Sequence, residues 1–141
     1  MNRQRAAAEF VWPVRVYYED TDAGGVVYYA NYLKFMERAR TEWLRQFGFE
    51  QDQLLRDEGI VFPVRRLAIE YFKPARFNEQ LRVMSRVSDP GRASLEFQQR
   101  ILRGDDTLLC QGVVAVACVD AQTFKPKPLP DSLRAEIEHA N

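Results

Sequence analysis

Three carboxylates and two adjacent glycines lie close together near the amino end of the chain. Glu19, Asp20 and Asp22 precede Gly24 and Gly25 in the stretch EDTDAGG, whose composition predicts a turn or loop. A glycine pair lets backbone amides approach a ligand closely and adopts conformations that other residues avoid. A helix beginning a few residues later would add unpaired N–H groups and a partial positive charge. The segment therefore suits an oxyanion with a carboxylate held beside it.

A purely structural role for this segment is also open. Carboxylates near a helix N-terminus are stabilising by themselves, so an acidic turn before a helix need not bind a ligand. Glu19 and Asp20 in particular are expected to shape the loop. The segment is not a nucleotide-binding loop, because the sequence contains neither GxxxxGK[ST] nor a GxGxxG motif that follows a strand.

The residue counts restrict the chemistry further. The only histidine, His139, lies in a charged tail, so the chain cannot build a Ser-His-Asp triad, a Cys-His pair or an HExxH zinc helix. Cys110 and Cys118 lie in one extended apolar segment, roughly 26 Å apart, which is too far for a disulfide. Catalysis must then use carboxylates, hydroxyls, backbone amides or lysine, and no metal site is expected.

Length and composition predict one globular domain spanning residues 1–141. Of the 141 residues, 46% are hydrophobic, which is enough for a sizeable core. Twenty basic and twenty acidic side chains balance, so no net field favours nucleic acid or an anionic membrane. The sequence shows neither a signal peptide nor an apolar run long enough to cross a bilayer. A cytoplasmic protein is expected.

Hydrophobic periodicity predicts the elements that must position the acidic segment. A strand is expected over residues 13–18, and a long helix over residues 29–47 with a C-terminal cap at Gly48. A shorter helix is expected over residues 51–58, ending at Gly59. The apolar face of the long helix carries Leu33, Met36, Arg40, Trp43, Leu44 and Phe47.

Four alternating strands follow, joined by turns, and they predict an antiparallel meander before a short closing helix near residues 133–137. The last strand contains VVAVACV, which is apolar on both faces, as in a strand that is buried on both sides. A single long helix covers only one face of such a sheet. A second subunit is therefore expected to cover the other, by pairing sheet edges or by stacking sheets, so a dimer is the smallest expected form.

The segment RVYYEDTDAGGVVYYANYLKFMERAR resembles the signature of the hotdog-fold acyl-CoA thioesterases. It is closest to the branch of 4-hydroxybenzoyl-CoA thioesterase and the Tol–Pal-associated YbgC thioesterases. The likeness continues through GIVFPVRRLAIEYFKPARFNE to FKPKPLP, so it covers nearly the whole chain. It implies an α+β hotdog fold, in which a five-stranded antiparallel sheet wraps around one long central helix and subunits pair as dimers and often as tetramers.

The resemblance also implies site residues. The catalytic aspartate falls on Asp22, and the oxyanion-binding amide falls on the backbone N–H of Tyr29, where many YbgC-like members carry histidine. Gly25 lies in the same motif as a substrate-binding position. The strand that lines the acyl pocket in this family falls on Val61, Phe62 and Pro63. The positions near the coenzyme A phosphates fall on Arg92 and Ser94.

These residues predict hydrolysis of short-chain or aromatic acyl-CoA thioesters, with no cofactor, since coenzyme A belongs to the substrate. A thioester carbonyl is activated and its thiolate leaves easily, so Asp22 could act as nucleophile or as general base. A hotdog hydratase is disfavoured because that class uses a histidine beside its acid. The remaining alternative is a non-catalytic or dual-role partner or scaffold protein of envelope or phospholipid-synthesis machinery. Acyl carrier protein and Tol–Pal-linked proteins are the possible protein partners.

Overall fold

The computed structural model describes residues 9–88 and 90–140. The three helices are α1 (Asn31–Gln46), α2 (Gln51–Glu58) and α3 (Asp131–Ala140). The strands are β1 (Phe10–Arg15), β2 (Ile60–Val61), β3 (Val64–Tyr71), β4 (Gln80–Val87), β5 (Ser94–Arg103), β6 (Leu108–Ala117) and β7 (Val119–Asp120). A short 3₁₀ turn, Tyr18–Asp20, lies between β1 and α1.

Five strands form one antiparallel sheet in the order β1-β4-β5-β6-β3, and β2 pairs with β7 in a small second sheet. The long helix α1 packs on one face of the large sheet, where Phe35, Met36 and Ala39 are fully buried against residues of β4 and β5 such as Leu81 and Ile101. Burial of these side chains supplies most of the driving force that holds α1 to the sheet. The predicted α+β architecture of a five-stranded sheet around one long helix is confirmed.

The first strand lies three residues earlier than the sequence predicts. Residues 10–15 pair with β4, so that Trp12 and Val14 point toward α1. Pro13 is tolerated inside this strand because β1 is a sheet edge. Tyr17 and Tyr18, which were predicted to be in the strand, leave the sheet and are exposed at the 3₁₀ turn.

The predicted meander is correct only for β4, β5 and β6. The first of the four predicted strands, β3, pairs with β6 rather than with its sequence neighbour β4. The place beside β4 is occupied by β1, where Val14 lies opposite Leu81. β3 is therefore the free edge at the opposite side of the sheet. Seven of its eight residues are exposed, and only Ile69 is half-buried.

Helix α1 begins at Asn31 rather than at residue 29, and it ends at Gln46, one residue before the predicted end. The predicted cap is confirmed, with Gly48 at a φ of +88° just beyond the last turn. Its buried face is rotated from the predicted one. Phe35 and Ala39 are fully buried, whereas Leu33 is only half-buried. Helix α2 matches its predicted bounds, and its C-cap Gly59 is left-handed.

The outer face of the large sheet has no cover within the described part of the chain. Val113 points outward from β6 and is 39% exposed, as expected if another subunit must cover it. The face is also more polar than the apolar pattern of β6 indicates, because Arg66, Glu96 and Arg100 share it. None of the helices in residues 9–88 and 90–140 combines the length and apolar character needed to span a bilayer.

Candidate active site

The acidic segment forms a tight β-hairpin that leads directly into α1. Thr21 pairs with Val27, and the Asp22 N–H donates to the Val26 carbonyl over 2.9 Å. The Gly25 N–H donates back to the Asp22 carbonyl over 3.0 Å, with Gly25 left-handed at a φ of +80°. This is a three-residue hairpin loop whose last position favours glycine. Gly25 therefore shapes the turn that presents Asp22.

One carboxylate oxygen of Asp22 is fixed and the other is free. Oδ1 accepts the Gly24 N–H over 2.8 Å, a local turn that aspartate readily forms. A Cβ at position 24 would stand 3.2 Å from this oxygen, so a side chain there would push the carboxylate aside. Oδ2 has no hydrogen-bond partner within residues 9–88 and 90–140. Asp22 is exposed in the single chain and can direct Oδ2 at a ligand.

The hairpin is fastened to the first turn of α1 through the carbonyl of Asp20. This oxygen accepts the Tyr28 N–H over 3.0 Å and the side-chain amide of Asn31 over 2.8 Å. Asp20 and Asn31 are both buried, and the Asp20 carboxylate accepts the Tyr17 N–H over 2.8 Å. Asp20 thus shapes the loop, as its position in the sequence predicts, while Asn31 holds that loop against the helix.

The start of α1 presents backbone N–H groups that nothing in the described part of the chain occupies. The Asn31 N–H donates to the Tyr28 carbonyl over 2.8 Å. In a trans peptide the N–H points opposite to the C=O, so the Tyr29 N–H points away from the helix. Ala30 is the N-cap and its side chain has no acceptor. The Tyr29 N–H, which precedes the N-cap, has no acceptor within residues 9–88 and 90–140 and is available to a ligand.

The electrostatics disfavour both cysteines as reactive groups. Elsewhere, at the start of the helix, the hydroxyl of Tyr29, followed by desolvation and the charge of Asp22, raises the pKa of Tyr28. Burial raises the pKa of Cys110 to about 12 and that of Cys118 to about 11. Both thiols are free, as predicted, and stay protonated at neutral pH.

The predicted acyl-pocket residues lie at the other end of α1. Phe62 lines a cavity of about 120 Å³ between α1 and the sheet, together with Arg40 and Leu44. At 1.5 Å per residue, Arg40 is about 14 Å along the helix from Asn31. Val61 belongs to β2, and Pro63 follows directly after Phe62. Within one chain, the structure does not bring this segment together with Asp22.

The two predicted phosphate-binding positions lie in the turn between β4 and β5. Ser94 begins β5 and, with Arg65 and Arg66 of β3, lines a surface hollow of about 340 Å³. Arg92 is exposed, and its carbonyl accepts the Leu129 N–H over 3.0 Å. The turn is therefore anchored by its backbone, and the side chain of Arg92 is exposed to solvent in the described part of the chain.

The sequence predicted a role for Gly24 only as one of a glycine pair, and it gave no role to two other residues. Gly24 anchors the carboxylate of Asp22, and the spacing Asp-x-Gly was a usable signal for such a turn. Asn31 fastens the hairpin, and a buried amide at the start of an apolar helix face was a weaker signal. Tyr71 donates its hydroxyl to the Tyr29 carbonyl over 2.9 Å from a strand 42 residues away, a contact that no sequence pattern marks.

Comparison with known proteins places the chain in a family. The model of the Thioesterase-like superfamily matches residues 16–137. An acyl-CoA thioester hydrolase named YbgC from Escherichia coli O6:H1 is 50% identical over 129 residues, covering 92% of this chain and 96% of that protein. An acyl-CoA thioesterase named YbgC from Haemophilus influenzae is 47% identical over 130 residues, covering 92% and 95%. The solved structure of a Bartonella henselae protein, described as a probable thioesterase, superposes with a TM-score of 0.83 at 37% identity, covering 87% of this chain and 100% of that one.

The chain therefore belongs to the thioesterase-like superfamily of hotdog proteins. The resemblance in the sequence is confirmed, and so is the predicted enzyme class, a thioester hydrolase, at the level of the family.

Proposed function

We propose that this protein hydrolyses acyl-CoA thioesters to a free acid and coenzyme A. The observation that carries the proposal is the hairpin that holds the free Oδ2 of Asp22 beside the unoccupied amides at the start of α1. A thioester carbonyl lodged against Tyr29 N–H would be polarised by this amide and by the helix dipole. Such a reaction needs neither a metal nor a cofactor, because the thioester is already activated.

Asp22 supplies the nucleophile in one of two ways. In the first, Oδ2 attacks the carbonyl carbon, the C–S bond breaks, coenzyme A leaves as the thiolate, and water hydrolyses the resulting mixed anhydride. In the second, Oδ2 takes a proton from a water molecule, which attacks instead. Both routes place the negative charge of the intermediate on the carbonyl oxygen, so both need the same amides.

A second copy of the chain would complete the substrate site. β3 is a free sheet edge, with its Tyr71 end beside the start of α1 and its Val64 end following Phe62. A twofold axis that pairs two copies of β3 antiparallel brings the Val64 end of one copy to the Tyr71 end of the other. The partner's Phe62 segment then lies beside the Asp22 hairpin, which packs on residues just beyond β3.

The sequence of β3 favours one register for this pairing. With the axis at Ala68, Arg66 lies opposite the partner's Glu70 on the outer face, and Leu67 lies opposite the partner's Ile69 on the inner face. Both are favourable cross-strand pairs. Leu67 is 39% exposed in the single chain, and this pairing would cover it. A dimer is therefore the smallest complete form, and stacking of its outer faces would give a tetramer.

The proposed substrates carry short or aromatic acyl groups. The cavity beside Phe62 has a volume of about 120 Å³, below the range of about 300–1,000 Å³ that is typical of pockets for larger ligands. A long acyl chain would not fit there without displacing buried side chains.

Thiol release from a panel of acyl-CoA thioesters tests the proposal. The change Asp22→Asn keeps the shape of the side chain and the acceptor for Gly24, so the fold should be retained. We expect kcat to fall about 10²- to 10⁴-fold. Glu19→Gln, which removes an exposed carboxylate three residues away, is the matched control and should keep its activity. Near wild-type turnover by Asp22→Asn would contradict the proposed site. No release from any coenzyme A or carrier-protein thioester would favour a non-catalytic partner role.

A further inference from the structure

A hydrogen bond from the edge of the sheet fixes the turn that starts α1. The Tyr71 hydroxyl of β3 donates to the Tyr29 carbonyl over 2.9 Å. The ring of Tyr71 packs edge-on against Tyr32 at 5.5 Å and against Tyr29 at 6.3 Å. Tyr71 pairs with Cys110 of β6, which is fully buried. The Tyr71 hydroxyl is therefore held by the sheet, and not by the turn before α1 to which it donates.

This bond determines where the next amide points. The Tyr29 carbonyl and the Ala30 N–H belong to the same peptide unit, so they point in opposite directions. Because Tyr71 holds the carbonyl toward β3, the Ala30 N–H is turned away from β3. The Tyr28 carbonyl and the Tyr29 N–H also share one peptide unit. Because the Asn31 N–H holds that carbonyl, the Tyr29 N–H points away from Asn31. Neither the Tyr29 nor the Ala30 N–H has an acceptor within residues 9–88 and 90–140.

We propose that Tyr71 is a positioning residue for thioester hydrolysis: its hydroxyl fixes the peptide between Tyr29 and Ala30, so that the Ala30 N–H serves as a second donor to the oxyanion. This inference rests on the proposed function. Two preorganised donors stabilise an oxyanion more than one, and a donor that must first reorient loses part of its effect. Tyr71 acts through the backbone and does not itself touch the reacting carbonyl.

The test is the change Tyr71→Phe, which removes the hydroxyl and keeps the ring. Loss of one oxyanion donor typically lowers kcat about 10²- to 10³-fold, and loss of its orientation alone should lower kcat about 10-fold. KM should stay within about twofold, because the lost interaction acts mainly in the transition state. The melting temperature should not change. Tyr18→Phe is the matched control, since Tyr18 is exposed and its ring stacks on Phe77.

Two further measurements separate positioning from packing. Tyr71→Leu removes the ring as well as the hydroxyl, and it should lower kcat by the same factor as Tyr71→Phe.

The second measurement is the pH profile of kcat. Desolvation, followed by the charges of Cys110 and Tyr29, raises the pKa of Tyr71 above its usual value near 10. The hydroxyl therefore stays protonated, and the ratio of wild-type to Tyr71→Phe kcat should be constant from about pH 6 to 9.

The outcomes are distinct. Unchanged kcat in Tyr71→Phe, with Asp22→Asn inactive, overturns this inference and leaves the proposed function standing. A raised KM with unchanged kcat, or a much larger kcat loss in Tyr71→Leu than in Tyr71→Phe, also overturns it, because Tyr71 would then bind substrate or only pack. If Asp22→Asn retains full activity, the proposed function fails first.

Discussion

The two ends of α1 are built in different ways. At its start, the hairpin that carries Asp22 is fastened by short-range hydrogen bonds through Gly24 and Asn31, all within one chain. At its far end, Phe62 lines a small cavity about 14 Å from the helix start, and nothing within the described residues joins it to the acid. The proposed reacting groups therefore lie within one chain, whereas the proposed acyl pocket would meet them only when two copies pair.

A subunit-mixing experiment gives the largest expected effect. Asp22→Asn lacks the acid, and Phe62→Asp places a charge in the apolar pocket, so each homodimer should be nearly inactive. If the site combines Asp22 of one copy with the partner's Phe62, each mixed dimer has one intact site. Random exchange of equal amounts should then restore about a quarter of the wild-type kcat per chain.

The control for mixing is each variant refolded alone, with its melting temperature measured. Two folded but inactive variants that give no activity on mixing would place Asp22 and Phe62 in a site formed by a single chain. That result would remove the proposed distinction between the two ends of α1.

The features that depend on local sequence could be predicted, whereas those that depend on distant partners could not. Helix α2 was predicted to the residue because its end depends on a local signal, the left-handed Gly59. The hairpin was predicted as a loop with Asp22 at its centre because Asp-x-Gly-Gly is also a local signal. The position of β3 beside β6 was not predicted, because strand order depends on distant partners. For the same reason Tyr71 was missed, since its contact with Tyr29 spans 42 residues.

Two glycines give a smaller and more local test. Gly25 and Gly48 have φ values of +80° and +88°, and a Cβ at either position would meet nothing within 4 Å. Replacing either with alanine should therefore lower the free energy of unfolding by the same amount, about 1 kcal/mol, through backbone strain. Only Gly25→Ala should also lower kcat, about 10-fold, because only that turn presents Asp22.

Urea unfolding and steady-state kinetics of the two variants check this prediction. Equal losses of stability with kcat reduced only in Gly25→Ala would support a rigid hairpin at the start of α1. Equal kcat values in both variants would show that the hairpin adjusts freely, and that its geometry does not limit the reaction.

Arg92 gives the smallest expected effect. Its side chain is exposed, while its backbone carbonyl is held by the Leu129 N–H, so Arg92→Ala should leave the turn intact. An exposed ionic contact is worth at most about 1 kcal/mol, so KM for an acyl-CoA should rise no more than about fivefold, with kcat unchanged. The rise should vanish at high salt because screening removes the attraction. Arg56→Ala, an exposed arginine on α2, is the control, and an equal rise in KM there would mean that general positive charge, and not Arg92, attracts the phosphates.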